Sequence, residues 1–288
     1  MTLRIPPRVA ENAATSSPES AAWLNRLPAT VAGLAARWGL ELGEPFDGGE
    51  VSCAWVAPAR RADGSDAVLK VGMPHMEAIH EVQGLRFWDG DPTVRVLDAD
   101  EEANALLLER CLPGTVLRML PEPEQDTVLA GLLRRLWRVP PPGHPFRPLA
   151  EMADYWASVT EQHEDEWPDP GLVREGLALW RELPRSAADE ALLATDLHAG
   201  NVLAAEREPW LVIDPKPFFG DRAYDATQHL FNCDRLEQEP AALVRRLAGL
   251  LDLDEERVRL WTFTRAAAQW PELKRPDALA VALALQPA

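Results

Sequence analysis

The texture of the chain changes near Pro113-Gly114, and that change limits the folds open to it. Before it, short apolar runs recur at residues 40–45, 51–57, 67–72, 94–98 and 105–110, the length and spacing of strands. After it, apolar residues return at helical spacing over 123–138, 149–164, 171–183, 225–231, 241–250 and 254–269. Strands followed by helices predict an α+β protein of two lobes. Residues 2–20 read as a loose arm, followed by a helix carrying Trp23, Leu24, Leu27, Val31, Leu34 and Trp38. Residues 74–88 are spaced as one helix with Met76, Ile79, Val82 and Phe87 on its apolar side. Two short runs, 191–195 and 210–214, are predicted to pair as a hairpin. The division that follows is 1–39 for arm and lead-in helix, 40–115 for a small antiparallel β lobe with its hinge, and 116–288 for a larger helical lobe. Ligands favour clefts between lobes, so the chemistry is expected there.

Composition excludes several classes. The 288 residues are 47% hydrophobic and 26% charged, a balance that builds a packed core. A formal charge of −17 repels polyanions, which argues against nucleic acid; it would draw a cationic small substrate, and it serves equally as a general solubility trait. Cys53, Cys111 and Cys233 show neither a disulfide framework nor zinc spacing, and the remaining histidines show no metal pattern. The apolar run 278–285 is too short to span a bilayer and no signal peptide precedes the helices, so the cytoplasm is the expected compartment and no membrane partner is expected.

The residues suited to chemistry are Asp196, His198 and Asn201, followed by Asp214 after an apolar run. Phosphoryl transfer needs a group to orient a hydroxyl and hard oxygen donors to hold magnesium. Asp196 suits the first task, and Asn201 with Asp214 the second. The plain alternative is an Asx-turn cluster that caps a loop. Lys70 strengthens the chemical reading, because a charge in the middle of the run Val68-Leu69-Lys70-Val71 is costly unless it is paired. Glu77 and Glu81 lie one helical turn apart downstream, and Glu81 is the preferred partner. Against this stands an edge-strand lysine that points to water. Gly48-Gly49 reads first as a hairpin turn and second as a cover for phosphates.

Taken together, Val68-Leu69-Lys70, the helix around Glu81, Leu107-Leu108-Glu109-Arg110, Asp196-Leu197-His198 with Asn201, and Trp210 to Pro215 leading to Gly220 to Asp225 resemble the aminoglycoside phosphotransferase family. That family is related to the protein kinases, and the resemblance, over about residues 40–265, points to its streptomycin 6-phosphotransferase and hydroxyurea phosphotransferase branch. It implies a bilobal protein-kinase-like fold, with ATP and Mg²⁺ as cofactors. By it Lys70 contacts the α- and β-phosphates and pairs with Glu81, Asp196 is the catalytic base, and Asn201 and Asp214 bind magnesium. Glu109, Arg110, Cys111 and Leu112 form the hinge that meets the nucleotide base through backbone groups, and Asp225 is structural. The family commonly has His-Gly before the catalytic aspartate, where this chain has Ala194-Thr195.

The leading expectation is an antibiotic-inactivating kinase that phosphorylates a hydroxyl of an aminoglycoside such as streptomycin. The alternatives are a kinase of a sugar, amino sugar, hydroxyurea or similar hydroxylated metabolite, and a nucleotide-binding pseudokinase. His198 reads as a packing residue of the catalytic loop. Lys216 reads as solvated or substrate-side. The acidic stretch 161–166 with Asp154, Asp221 and Asp234 is a candidate receiver of a cationic substrate, set against an ordinary solvated face.

Overall fold

A computed structural model describes residues 3–48, 53–269 and 277–287. The chain divides into two compact units, residues 1–115 with 203–213, and residues 116–202 with 214–288.

The first unit is built on a five-stranded antiparallel sheet in the order β1-β2-β3-β5-β4. Its strands are β1 (Leu40–Leu42), β2 (Ala54–Arg61), β3 (Asp66–Gly72), β4 (Val96–Asp100) and β5 (Ala105–Glu109). Side chains alternate between the faces of β3. Leu69 and Val71 join a core with Trp23, Leu27, Val31 and Leu34, whereas Val68 faces a second core with Val82 and Leu85. The first of these cores needs helix α2 (Pro18–Trp38), which the Ser17 side chain caps by accepting from Ser20 N–H. The helix ends at Gly39, whose φ of 61° few other residues adopt.

Two expectations fail in this unit. The arm is not loose: α1 (Pro7–Ser16) packs on the same core with Val9 and Ala13 fully buried. The helix expected over 74–88 is a 3₁₀ turn, Met76–His80, followed by α3 (Glu81–Trp88). The 3₁₀ turn shifts the helical phase, so Ile79 is 57% exposed while Leu85 and Trp88 fill the core.

The second unit contains α4 (Glu122–Leu136), α5 (Leu149–Glu161), α6 (Pro170–Glu182), α7 (Arg222–Leu230), α8 (Arg235–Gln238), α9 (Pro240–Leu251), α10 (Glu255–Ala268) and α11 (Ala278–Leu285). Trp180 of α6, Tyr224 of α7 and Trp261 of α10 meet edge to face, with centroids 5.1 to 6.3 Å apart. The predicted hairpin does not form. Strand β7 (Glu190–Leu193) pairs antiparallel with β10 (Phe218–Asp221). The run around 211 belongs to the first unit and forms β9 (Leu211–Val212), in a sheet ordered β6-β8-β9 with β6 (Pro113–Val116) and β8 (Val202–Ala205). Among the described residues no helix is long and apolar enough to cross a membrane.

A buried charge network ties four of these helices together. Asp126 of α4 is fully buried and accepts from His229 Nε2 at 2.9 Å, Arg235 Nη2 at 2.8 Å and Arg246 Nε at 2.7 Å. His229 and Cys233, at i and i+4, bring potential ligand atoms within 4.8 Å of Asp126, a spacing that sequence reading passed over. Two arginines already neutralise that carboxylate, so a metal cation there would meet fixed positive charge.

Burial alone would push the Asp126 carboxyl up, but hydrogen bonds from His229, Arg246 and Arg235 bring its pKa down to about 2. A carboxyl depressed in the fold contributes stability above its unfolded pKa and loses it as pH falls toward the folded one. Asp126→Ala is therefore expected to destabilise the protein by about 3 kcal/mol near neutral pH. Wild type should lose about 2 kcal/mol attributable to this group between pH 5 and pH 2. Urea titrations of both proteins across that range check it, since the gap between them should narrow at low pH.

Candidate active site

In the first unit, β3 directs Lys70 into the interior, where its ammonium lies 2.5 Å from Glu81 Oε1. Both residues are buried, at 7% and 2% exposure, so the water-facing lysine does not describe the fold and Glu81 is a partner of the ammonium. Glu81 opens α3, where the helix dipole favours a carboxylate. A buried ion pair of this kind is poor evidence of stabilisation, because desolvation consumes most of the Coulomb gain.

The segment 109–112 follows β5. Glu109 is bound by Arg207, Nε and Nη2 each at 2.9 Å, and the same guanidinium donates to the carbonyls of Gly90 and Thr93. Burial raises the Glu109 carboxyl, but Arg207 and the Arg95 N–H outweigh it and hold the carboxyl below its usual range. Arg110 faces Asp66 at 3.6 Å. Burial pushes the Cys111 thiol up to about 11, which leaves it unreactive. Leu112 is half-buried. Around Gly48 a Cβ would meet nothing within 4 Å, so no close backbone approach requires glycine there. Gly49 lies outside the described residues.

In the second unit the loop after β7 carries Asp196. Asp225 accepts from Ala194 N–H at 3.1 Å, Thr195 N–H at 2.7 Å and Trp137 Nε1 at 3.0 Å, a structural task. Thr195 stands at φ 46°, and its hydroxyl donates to the Lys216 carbonyl at 2.6 Å. The Lys216 N–H returns a bond to the Ala194 carbonyl at 2.8 Å, so the loops bearing Asp196 and Asp214 are laced together.

Asp196 and Asn201 are in direct contact. Asn201 Nδ2 donates to the Asp196 carbonyl at 2.9 Å and reaches Asp196 Oδ2 at 3.4 Å, which turns the amide oxygen away from that loop. Asn201 directly precedes β8, and Asp214 lies two residues beyond the end of β9. Asp214 lies near enough to Asp196 to raise its pKa. Desolvation is the main cause that pushes the Asp196 carboxyl up to about 6, while Lys216, Arg265 and Gln228 pull it down.

Lys216 is not solvated: it is 6% exposed, with its ammonium 2.5 Å from Asp214 Oδ1. His198 Nδ1 takes the Gly200 N–H and an Arg118 Nη2 hydrogen, each at 3.0 Å, consistent with a loop-holding residue. The acidic residues considered for a cationic substrate are largely engaged. Glu161 pairs with Arg181, Glu164 with Arg174 and Asp154 with Arg185. Asp221 is interior, bound by Arg257 and Trp261.

Sequence reading missed Gln228, which donates to Asp196 Oδ1 at 2.7 Å, and Arg265, which donates to Gln228 Oε1 at 2.7 Å. A signal existed for each. Gln228 lies three residues after Asp225 on one helical face, and Arg265 interrupts an otherwise uncharged stretch just as Lys70 does.

A family model for aminoglycoside/hydroxyurea antibiotic resistance kinase matches residues 37–272. Streptomycin 6-kinase of Streptomyces griseus is 41% identical over 279 residues, covering 91% of this chain and 88% of that protein. Hydroxyurea phosphotransferase of Kitasatospora aureofaciens is 40% identical over 245 residues, 83% of this chain and 71% of that protein. Choline kinase of Streptococcus pneumoniae superposes with a TM-score of 0.60 at 13% identity, over 90% of this chain and 97% of that one, and so shares the protein-kinase-like α+β fold. With a family match across most of its length and these two relatives, the chain belongs to the aminoglycoside/hydroxyurea antibiotic resistance kinases.

Proposed function

We propose that this protein is an ATP-dependent O-phosphotransferase that inactivates a polar antibiotic, with streptomycin as the first candidate acceptor. The observation that carries the reading is the setting of Asp196: a carboxylate beside an asparagine and a second aspartate, on a loop fixed by buried hydrogen bonds. The 41% identity to a streptomycin 6-kinase supports the acceptor, and a net charge of −17 suits a cationic one. A reaction that draws on ATP suits the cytoplasm.

In this reading Asp196 takes the proton of the acceptor hydroxyl as its oxygen attacks the γ-phosphorus, and the bond to the departing ADP breaks. Lys70, held by Glu81, neutralises the α- and β-phosphates. Asn201 and Asp214 supply a carboxamide and a carboxylate, hard oxygen donors that fit magnesium, and Asn201 is already turned with its amide oxygen outward. Bound magnesium would supply charge neutralisation across the phosphate oxygens. Lys216 holds one oxygen of Asp214 by an ammonium contact and keeps that carboxylate in place. The segment 109–112 meets the nucleotide base through its backbone, because the Glu109 side chain is taken by Arg207.

A second acceptor class has its own support in the 40% identity to a hydroxyurea phosphotransferase. A panel of streptomycin, other aminoglycosides, hydroxyurea and free sugars, incubated with ATP and magnesium and read by mass spectrometry, separates the classes. A saturable phosphate adduct on streptomycin alone is the expected outcome, and adducts confined to hydroxyurea or sugars overturn the acceptor assignment. Asp196→Asn should lower kcat about 10³-fold while nucleotide affinity measured by calorimetry stays near wild type. Lys70→Met and Glu81→Gln should each lower kcat/KM for ATP, the former about 10²-fold, with a smaller effect on acceptor KM. Equal losses for both substrates would remove Lys70 from its phosphate role.

A further inference from the structure

The carboxylate of Asp196 has two oxygens, and they are held unequally. Oδ1 accepts a 2.7 Å hydrogen bond from Gln228 Nε2, whereas Oδ2 faces Asn201 Nδ2 at 3.4 Å, where a hydrogen bond is weak. A carboxamide can present either its oxygen or its nitrogen, and only the nitrogen can donate. The choice at Gln228 is made by Arg265, whose Nη2 donates to Gln228 Oε1 at 2.7 Å. A guanidinium has no acceptor, so the glutamine oxygen must face it and the amide hydrogens must face Asp196.

Arg265 is itself immobilised. It is 3% exposed, its Nε donates to Gln269 at 2.8 Å and its Nη1 to Thr227 at 2.8 Å. Its guanidinium also lies 5.1 Å from the ring centroids of both Tyr224 and Phe231. Gln228 in turn sits on α7, three residues beyond Asp225, which anchors the backbone at 194–195. One helix therefore controls both the backbone before Asp196 and one oxygen of its side chain.

We propose that Gln228, locked in orientation by Arg265, is a positioning residue that pins Asp196 Oδ1 so that Oδ2 is the oxygen offered to the acceptor hydroxyl. This rests on the phosphotransferase reading, in which Asp196 is the base. Gln228 touches neither substrate nor reacting atom in this scheme; it removes the rotational freedom of the carboxylate. A misdirected base loses rate and not affinity, since substrates still bind but fewer encounters are productive.

The test uses the whole chain with Gln228→Leu, which keeps the size of the side chain and abolishes both the donor to Asp196 and the acceptor of Arg265 Nη2. The variant should show kcat lowered about 10²-fold with acceptor KM and nucleotide affinity near wild type, and a somewhat lower melting temperature because Arg265 loses a buried acceptor. Crystal structures of both proteins with a non-hydrolysable ATP analogue should show the Asp196 carboxylate turned in the variant and fixed in wild type. Gln228→Glu retains an oxygen toward Arg265 but sets a carboxylate against Asp196, and should be impaired at least as strongly. Arg265→Met combined with Gln228→Leu should cost no more kcat than Gln228→Leu alone, because Arg265 acts through the glutamine. An unturned Asp196 in the Gln228→Leu crystal, an unchanged kcat, or a loss carried by weaker acceptor and nucleotide binding with kcat preserved overturns the proposal. If wild type transfers phosphate to no acceptor, the proposed function fails, and the Asp196 rotamers in the two crystals still decide the positioning role.

Discussion

Asp225 is the constraint on which the site of the second unit depends. Its carboxylate is completely buried and accepts from two successive backbone N–H groups, at Ala194 and Thr195, and from Trp137. Burial pushes its pKa up to about 6 while those donors pull it down. The loop it grips takes a left-handed backbone at Thr195, which costs a β-branched residue on the order of 1–3 kcal/mol. That strain persists because the N–H is bound by Asp225 and the hydroxyl by the Lys216 carbonyl. The next residue is Asp196, so its direction follows from a buried carboxylate behind the loop.

This explains the departure from the family pattern noted at Ala194-Thr195. Glycine adopts a positive φ without cost and is the natural occupant of such a position. Threonine gives up that freedom but adds a hydroxyl that ties the Asp196 loop to the segment bearing Asp214 and Lys216. The same economy appears in the first unit, where the cost of a buried lysine in β3 is met by Glu81 from α3. In both places a polar group is held where solvent cannot relax it, which is how a site keeps its charges pre-arranged.

Much of the fold was legible because periodicity is a local property. The strands of the first unit and the helices α4 to α7, α9 and α10 lie within a few residues of the apolar runs that announced them, whereas the short α8 had no such run. The failures share one cause, a partner distant in sequence. Residues 7–16 are amphipathic but carry few large apolar side chains, and Val9 and Ala13 hold them in place by entering the core beneath α2. Strand β7 pairs with β10, because the run at 211 is claimed by β8. Ile79 faces outward because a 3₁₀ turn resets the helical phase before α3.

What the sequence determined alone was the inventory: a lysine that an apolar strand must pair, and an Asp-x-His-x-x-Asn run with a second aspartate downstream. These are legible because buried charge is rare and costly wherever it occurs. What the tertiary structure decided was orientation. That Glu81 meets Lys70, that Lys216 is bound to Asp214, and that Gln228 and Arg265 stand behind Asp196 depend on which helix faces pack together. Hydrogen bonds act over about 3 Å, and no spacing rule carries that resolution between residues far apart in the chain.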